Sequence, residues 1–176
     1  MMLKAKVPMP PTFSPTIRAI TFAFLLQLAV MKGLVMFTTD LAYAYLNATY
    51  GEDFDPIITQ LEPFVSNDCG LPRGQKYRVR KYIYGLPDAG RAFYFLYKEK
   101  LIEEGHKMSN LDPCLFFRIK DTETTFVAVF VDDTFIFTNN ADNAKRFVEC
   151  MKKHFEVTLD LLDQISQNFL PHGLNE

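Results

Sequence analysis

Two places in the sequence carry aspartates whose surroundings suggest metal chemistry. Asp132 and Asp133 stand between two runs of β-branched and aromatic residues, 125–131 and 134–138. These runs predict two antiparallel strands joined by a two-residue turn. Tight turns prefer Asn-Gly or Asp-Gly, because their central residues take positive φ, so Asp-Asp is a poor choice for this turn. Two adjacent carboxylates also repel each other. A divalent cation would compensate this charge, since hard cations bind carboxylate oxygens. A solvated hairpin tip without a ligand is the alternative.

Asp40 is the second place, at the end of an apolar run over residues 35–39. A strand-end aspartate and a hairpin-tip pair, far apart in the sequence, are what a two-metal phosphoryl-transfer site requires. In such sites one ion lowers the pKa of an attacking hydroxyl and the other stabilises the leaving oxygen. We therefore predict that Asp40, Asp132 and Asp133 form a catalytic, metal-binding set.

The elements around these aspartates must bring them together. A helix is predicted from Ser14-Pro15 to Gly33, with Ser as N-cap and Pro in the first turn. The other predicted elements are a strand over 34–39, loops with one or two short strands over 47–74, a strand over 76–82, a helix over 85–105, a strand over 115–119, the hairpin and a helix over 143–154. This order predicts an α+β fold, in which an antiparallel sheet is covered by helices on one face.

Length and composition indicate one globular domain. We predict that it spans residues 12–160 of the 176, with an irregular lead-in over 1–11 and a tail over 161–176. The three cysteines are widely spaced, which predicts reduced thiols rather than disulfides or a zinc site. Gln27 and Lys32 interrupt the most apolar stretch, and the N-terminus lacks the hydrophobic core of a signal peptide. We therefore expect no membrane partner and an intracellular, cytoplasmic location.

One basic run is a candidate nucleic-acid-binding surface. The net charge of −2 gives no global positive field, so binding would depend on a local strip. Tyrosines interleave with this run, and the combination suits phosphate contacts and base stacking. A solvated edge strand is the alternative. Its basic residues are Arg73, Lys76, Arg78, Arg80 and Lys81.

Several segments resemble the reverse transcriptase domain of Ty1/copia-type retrotransposon polyproteins. Residues 130–133 resemble that family's Tyr/Phe-Val-Asp-Asp box, and residues 40–46 its Asp-Val-x-x-Ala-Phe/Tyr-Leu box. Residues 83–94 are similar to its Leu-Tyr-Gly-Leu-Lys-Gln-Ala-Pro-Arg-x-Trp-Tyr segment. Two further signatures match at 12–15 and 112–116, so the matches follow family order over most of the chain.

The resemblance implies a polymerase palm with a ferredoxin-like core. Asp40 and Asp132 would hold two Mg²⁺ ions, with Mn²⁺ as a substitute, and Asp133 would contribute more weakly. A primer 3′-hydroxyl would attack the α-phosphate of a dNTP and release pyrophosphate. Tyr45 would close off the sugar 2′ position and so select deoxynucleotides. Within the middle segment Gly85 would permit close backbone approach, and Arg91 would contact a phosphate.

The resemblance also implies partners. These are an RNA template, a DNA or RNA primer, dNTPs and the other parts of a Gag-Pol-type polyprotein, in a virus-like particle if the element is active. The chain departs from the family pattern at Asp88, which stands where the family has Gln. A carboxylate near a triphosphate would repel it, and the repulsive energy through solvent would be about 1 kcal/mol. Gly90 and Phe93 likewise replace Pro and Trp. The fingers are expected to be largely missing and the thumb and ribonuclease H region absent, as in a truncated copy.

Two other functions remain open at this point. A catalytically inert remnant or domesticated nucleic-acid-binding module would keep the fold and bind nucleic acid without metal. An unrelated two-metal nuclease would use the same ions and have no need for Tyr45, although it would not explain five family segments in order.

Overall fold

The computed structural model describes residues 12–50 and 57–161. The predicted lead-in over 1–11 and residues 162–176 of the predicted tail lie outside the described residues. In chain order the elements are α1 (Ala19–Lys32), β1 (Val35–Leu41), α2 (Ala44–Asn47), β2 (Ile58–Gln60), α3 (Pro63–Asp68), β3 (Lys76–Arg78), α4 (Ala89–Glu103), β4 (Lys107–Met108), β5 (Leu115–Lys120), β6 (Glu123–Phe130), β7 (Asp133–Thr138), α5 (Ala141–Met151) and β8 (Val157–Leu161).

Six strands form one antiparallel sheet in the order β4-β5-β6-β7-β1-β8. β6 and β7 are the predicted hairpin, and β1 pairs with β7 so that Thr39 stands opposite Thr134. β8 has no counterpart among the predicted elements. It pairs with the other edge of β1 and brings Thr158 opposite Asp40. The predicted α+β architecture with an antiparallel sheet is confirmed, and it puts β1 and the hairpin side by side.

Helices cover both faces of the sheet rather than one face as predicted. Successive residues of a strand point to opposite faces, so neighbours in β7 show which helix lies where. Tyr97 of α4 shares a 3.0 Å hydrogen bond with Thr134, whereas the ring of Phe22 in α1 packs edge-on 4.8 Å from that of Phe135. α1 therefore lies on the face opposite to α4. Helical spacing in the sequence predicted Ile20, Phe24 and Met31 for the buried side of α1, but all three are exposed, whereas Leu25 and Ala29 are buried. The helix is apolar on every side, so the spacing could not indicate which side packs on the sheet.

The start of α1 also differs from the prediction at Ser14-Pro15. Residues 12–18 are not helical, because long-range hydrogen bonds hold their backbone. The N–H of Ile17 donates to a carbonyl of β6 at 3.0 Å, and that of Arg18 donates to Oδ2 of Asp112 at 3.1 Å. The helix ends as predicted at Gly33, whose φ of 62° is the left-handed cap conformation.

A separate two-stranded sheet pairs β2 with β3. The chain segments on either side of this sheet also pair with each other next to α2. There the N–H of Tyr82 donates to the carbonyl of Ala48 at 3.0 Å, and Thr49 forms an antiparallel backbone bridge with Lys81. This ribbon therefore carries the basic run of the sequence, and its base is attached next to α2.

Candidate functional site

The three candidate aspartates lie at one end of the central strands. Asp40 is the penultimate residue of β1, and Asp133 is the first residue of β7. The β1–β7 register pairs Thr39 with Thr134, so one further step puts Asp40 opposite Asp133. Asp132 precedes Asp133 in the turn. Residues more than 90 positions apart are thus brought to one place by the pairing of β1 with the hairpin.

The turn of the hairpin consists of Val131 and Asp132, one position earlier than the acidic pair. Phe130 pairs with Asp133 and closes the hairpin. Val131 has φ 59°, which is the left-handed region that β-branched residues avoid. A backbone conformation of this kind costs of order 1–3 kcal/mol and persists where the surroundings enforce it. The strain therefore lies at the residue before Asp132, in the segment that carries the acidic pair.

Electrostatics couples the three carboxylates. Partial burial, then the charges of Asp132 and Asp40, raise the pKa of Asp133 above its usual range. No Lys, Arg or His within the described part of the chain forms an ion pair with any of the three. No basic side chain of the described residues therefore pairs with this acidic cluster.

The donor set suits a hard cation, since it consists of carboxylate oxygens without a thiolate or imidazole. Over residues 12–50 and 57–161, however, no three His, Cys, Asp or Glu side chains stand close enough to hold a metal ion in this conformation. The chemistry of Asp40, Asp132 and Asp133 therefore fits Mg²⁺ or Mn²⁺, and the side chains would have to draw together around it.

Two tyrosines stand beside the carboxylates. Tyr45 lies on α2, half-buried, and its ring centroid is 4.5 Å from that of Tyr84. Burial and the charge of Asp132 raise the pKa of Tyr45. Burial, Asp132 and then Asp40 raise the pKa of Tyr84. The sequence predicted a role for Tyr45, whereas Tyr84 lies in the 83–94 segment that resembles the family and among the tyrosines near the basic run, with no role of its own predicted. Its contact with Tyr45 is a tertiary feature that local spacing does not signal.

Gly90, which departs from the family pattern, makes room at this site. A Cβ on Gly90 would lie 3.3 Å from the Cβ of Ser14 and 3.7 Å from the hydroxyl of Tyr45. A Cβ at this position would therefore crowd Ser14 of the 12–15 segment and would come into ordinary van der Waals contact with Tyr45. The glycine joins two of the sequence segments that resemble the family.

The other residues predicted for substrate binding lie in the segment that leads into α4. Gly85 has φ 98°, a conformation that suits glycine, and a Cβ there would meet no atom within 4 Å. Arg91 donates from Nη1 to the carbonyl of Phe13 at 3.5 Å, and its guanidinium lies 4.7 Å from the ring centroid of Phe95. Arg91 thus joins the 12–15 segment to α4, and its contact with phosphate stays a prediction.

The basic run is exposed and extends from before β3, through it and to the residues after it. Arg73 donates to Oδ1 of Asn67 at 2.8 Å. No carboxylate of the described residues forms an ion pair with any of its members. The strip is therefore open to solvent, and its role in binding nucleic acid stays a prediction. Its exposed residues are Arg73, Lys76, Arg78, Arg80 and Lys81.

No helix in the described ranges, 12–50 and 57–161, is long and apolar enough to cross a membrane.

Comparison with known proteins gives the same family over most of this chain. The profile of the family described as Reverse transcriptase (RNA-dependent DNA polymerase) matches residues 4–171. The chain is 29% identical over 151 residues to the retrovirus-related Pol polyprotein from transposon RE2 of Arabidopsis thaliana, a match that covers 83% of this chain and 10% of that polyprotein.

Two further relatives agree. The polyprotein from transposon RE1 of Arabidopsis thaliana is 27% identical over 83% of this chain and 10% of its own length. The transposon Ty1-DR4 Gag-Pol polyprotein of Saccharomyces cerevisiae is 27% identical over 76% of this chain and 8% of its own length. The chain thus spans about a tenth of the length of the curated relatives it matches.

Proposed function

Because the chain belongs to the reverse transcriptase (RNA-dependent DNA polymerase) family, we propose that it is the polymerase palm of a Ty1/copia-type retrotransposon polyprotein and adds dNTPs to a primer 3′-hydroxyl. The observation that carries this proposal is the meeting of Asp40, Asp132 and Asp133 at one end of β1 and the β6–β7 hairpin. The electrostatic coupling of the three carboxylates supports it. The domain would extend over residues 12–160.

The carboxylates do the binding in this proposal. Asp40 and Asp132 would hold two Mg²⁺ or Mn²⁺ ions, and Asp133 would bind more weakly from the start of β7. Bound there, the ions would lower the pKa of the primer hydroxyl and neutralise charge on the phosphates. The protein's own contribution is to fix the three aspartates on paired strands, because positioning and charge provide most of the rate in phosphoryl transfer.

The aromatic and basic residues around the aspartates would select and hold the substrates. Tyr45 stands on α2 beside Asp132 and would exclude a 2′-hydroxyl from the sugar. Gly85 and Arg91 would flank the nucleotide. The exposed basic ribbon would contact the backbone of an RNA template and its primer. The other partners would be the remaining parts of a Gag-Pol-type polyprotein, inside the cell in the cytoplasm.

A second candidate function is nucleic-acid binding without catalysis. The observation that favours it is that the three aspartates, as they stand in the described conformation, do not form a ready metal cluster. The free basic ribbon would still bind a primer–template. Under this alternative the fold is retained while nucleotide transfer is lost.

Primer extension on an RNA template separates the two. Wild type and Asp132→Asn would be compared in Mg²⁺ and in Mn²⁺, with folding checked by circular dichroism. Extension by wild type that is lost in Asp132→Asn supports the polymerase. Binding of the primer–template by both proteins, with extension by neither, would support the binding module and contradict catalysis by this chain. Asp121→Asn, in the turn at the other end of the hairpin, is the matched control and should extend like wild type.

A further inference from the structure

Tyr84 lies on the ring of Tyr45. The two centroids are 4.5 Å apart, and the ring planes meet at 40°. Aromatic pairs at such centroid distances contribute about 0.5–1.5 kcal/mol beyond the area they bury. Tyr84 belongs to no helix or strand. It is followed by Gly85 at φ 98°, so a local backbone conformation that glycine permits fixes the direction of the chain at this tyrosine.

The other contacts of Tyr45 come from α4. The ring of Phe93 stands edge-on at 6.2 Å and is itself buried, and Gly90 leaves space at the Tyr45 hydroxyl. Phe93 and Gly90 are parts of a helix and have little freedom to move. Tyr84 differs because it is 56% exposed and lies outside any helix or strand, with its ring against that of Tyr45. It is therefore the adjustable neighbour of Tyr45.

Tyr84 also lies within electrostatic reach of the aspartates. Burial and then the charges of Asp132 and Asp40 raise the pKa of the Tyr84 hydroxyl, whereas Asp132 is the only one of the three aspartates that raises that of Tyr45. Tyr84 thus interacts with the ends of both β1 and the hairpin. A sugar bound near the aspartates would meet the two rings together.

We infer that Tyr84 is a positioning residue that holds the ring of Tyr45 against an incoming sugar, so that the pair sets the preference for deoxynucleotides over ribonucleotides. This inference rests on the proposed function and adds a residue to it. The stacked ring is the working part, since no hydrogen bond of the Tyr84 hydroxyl is found within the described residues.

The test measures nucleotide binding rather than turnover. Dissociation constants of a dNTP and the matching rNTP would be determined for the full chain on a primer–template, with Ca²⁺ in place of Mg²⁺ to prevent incorporation. The variants are Tyr84→Ala, Tyr84→Phe and, as control, Tyr43→Ala. Tyr43 is also exposed, at 66%, and no ring of the described residues stacks on it. Circular dichroism melting checks that each variant folds.

We expect Tyr84→Ala to reduce the dNTP preference about tenfold, while Tyr84→Phe and Tyr43→Ala keep the wild-type ratio. An unchanged ratio in Tyr84→Ala, an equal loss in Tyr84→Phe, or a wild type without preference would overturn the inference. A wild type that binds and discriminates nucleotides yet extends no primer would refute the proposed catalysis and leave the inference standing. Absence of nucleotide binding by the folded wild type would overturn both.

Discussion

The hydroxyl of Tyr82 donates a hydrogen bond to Oδ2 of Asp88 at 3.1 Å, with both side chains buried. Asp88 precedes α4, and Tyr82 ends the backbone pairing that attaches the basic ribbon. Burial and the neighbouring carboxylate raise the pKa of Tyr82 to about 12. Since Asp88 is 6% exposed, its charge is turned inward rather than presented to a bound triphosphate. The repulsion expected from the sequence is therefore weakened by the direction of this side chain.

Replacing Tyr82 with Phe should destabilise the protein. Among the described residues, Tyr82 provides the only side-chain hydrogen bond to Asp88, and an unsatisfied buried polar group costs about 1–3 kcal/mol. Urea unfolding would measure the loss. Tyr77→Phe is the matched control, because the buried hydroxyl of Tyr77 has no partner in the described structure and its removal should be neutral or stabilising. Equal losses in the two variants would contradict the role of the hydrogen bond.

Divalent cations should stabilise the wild type through the aspartates. The pKa of Asp133 is raised, so its ionisation costs more free energy in the folded protein than in the unfolded one. The repulsion from its acidic neighbours therefore acts at neutral pH. Asp132→Asn relieves part of it and, after solvent screening, should raise the free energy of unfolding by a few tenths of a kcal/mol without metal. Mg²⁺ or Mn²⁺ should raise the melting temperature of the wild type and of the control Asp121→Asn, but not that of Asp132→Asn. A metal response that persists in Asp132→Asn would place the bound ion elsewhere.

His106 should make stability depend on pH between about 4 and 6.5. Burial, and then the charge of Arg118, lower its pKa from 6.5 to about 4. Its Nδ1 has no partner among the described residues and borders a cavity of about 20 Å³, room for roughly one water. The unfolded chain therefore binds a proton at a higher pH than the folded one. The contribution of His106 to the free energy of unfolding should be highest above pH 6.5 and fall as the pH decreases to about 4. Below pH 4 this contribution should stay constant.

The decrease should amount to roughly 3 kcal/mol, from about 1.4 kcal/mol per pKa unit. Urea unfolding at a series of pH values measures it for the wild type and for His106→Gln. The variant should lose this part of the pH dependence, whatever its stability at pH 7. Parallel curves for the two proteins would show that another group is responsible.

The exposed basic ribbon should determine the salt dependence of nucleic-acid binding. Fluorescence anisotropy with a labelled RNA–DNA primer–template would give the affinity between about 50 and 200 mM salt. Arg78→Ala and Arg80→Ala should each weaken binding and lower the slope of log affinity against log salt by about 1. Lys145→Ala in α5 and Lys152→Ala directly after it remove equal charge, both lysines form ion pairs, and the slope should stay unchanged. Equal effects of all four would indicate a general charge effect rather than a binding strip.

The sequence by itself determined the elements whose signals are local. Alternating apolar runs on either side of Asp132 and Asp133 marked a hairpin, and Gly33 marked the end of a helix, because both features depend on neighbours within a few residues. Motif order over most of the chain identified the family, which the family profile confirms. The three aspartates were selected on the same grounds, as the residue type that metal-dependent phosphoryl transfer requires.

Only the tertiary structure decided which distant residues meet. The register of β1 on β7 brings Asp40 beside the acidic pair, and the path before α4 puts Tyr84 on Tyr45 and turns Asp88 towards Tyr82. The tertiary structure likewise decided which face of the sheet α1 covers and that β8 pairs with β1. The physical reason is that a sequence pattern depends on neighbours a few residues away, whereas the partners of an element are chosen by packing and hydrogen bonding over the whole domain.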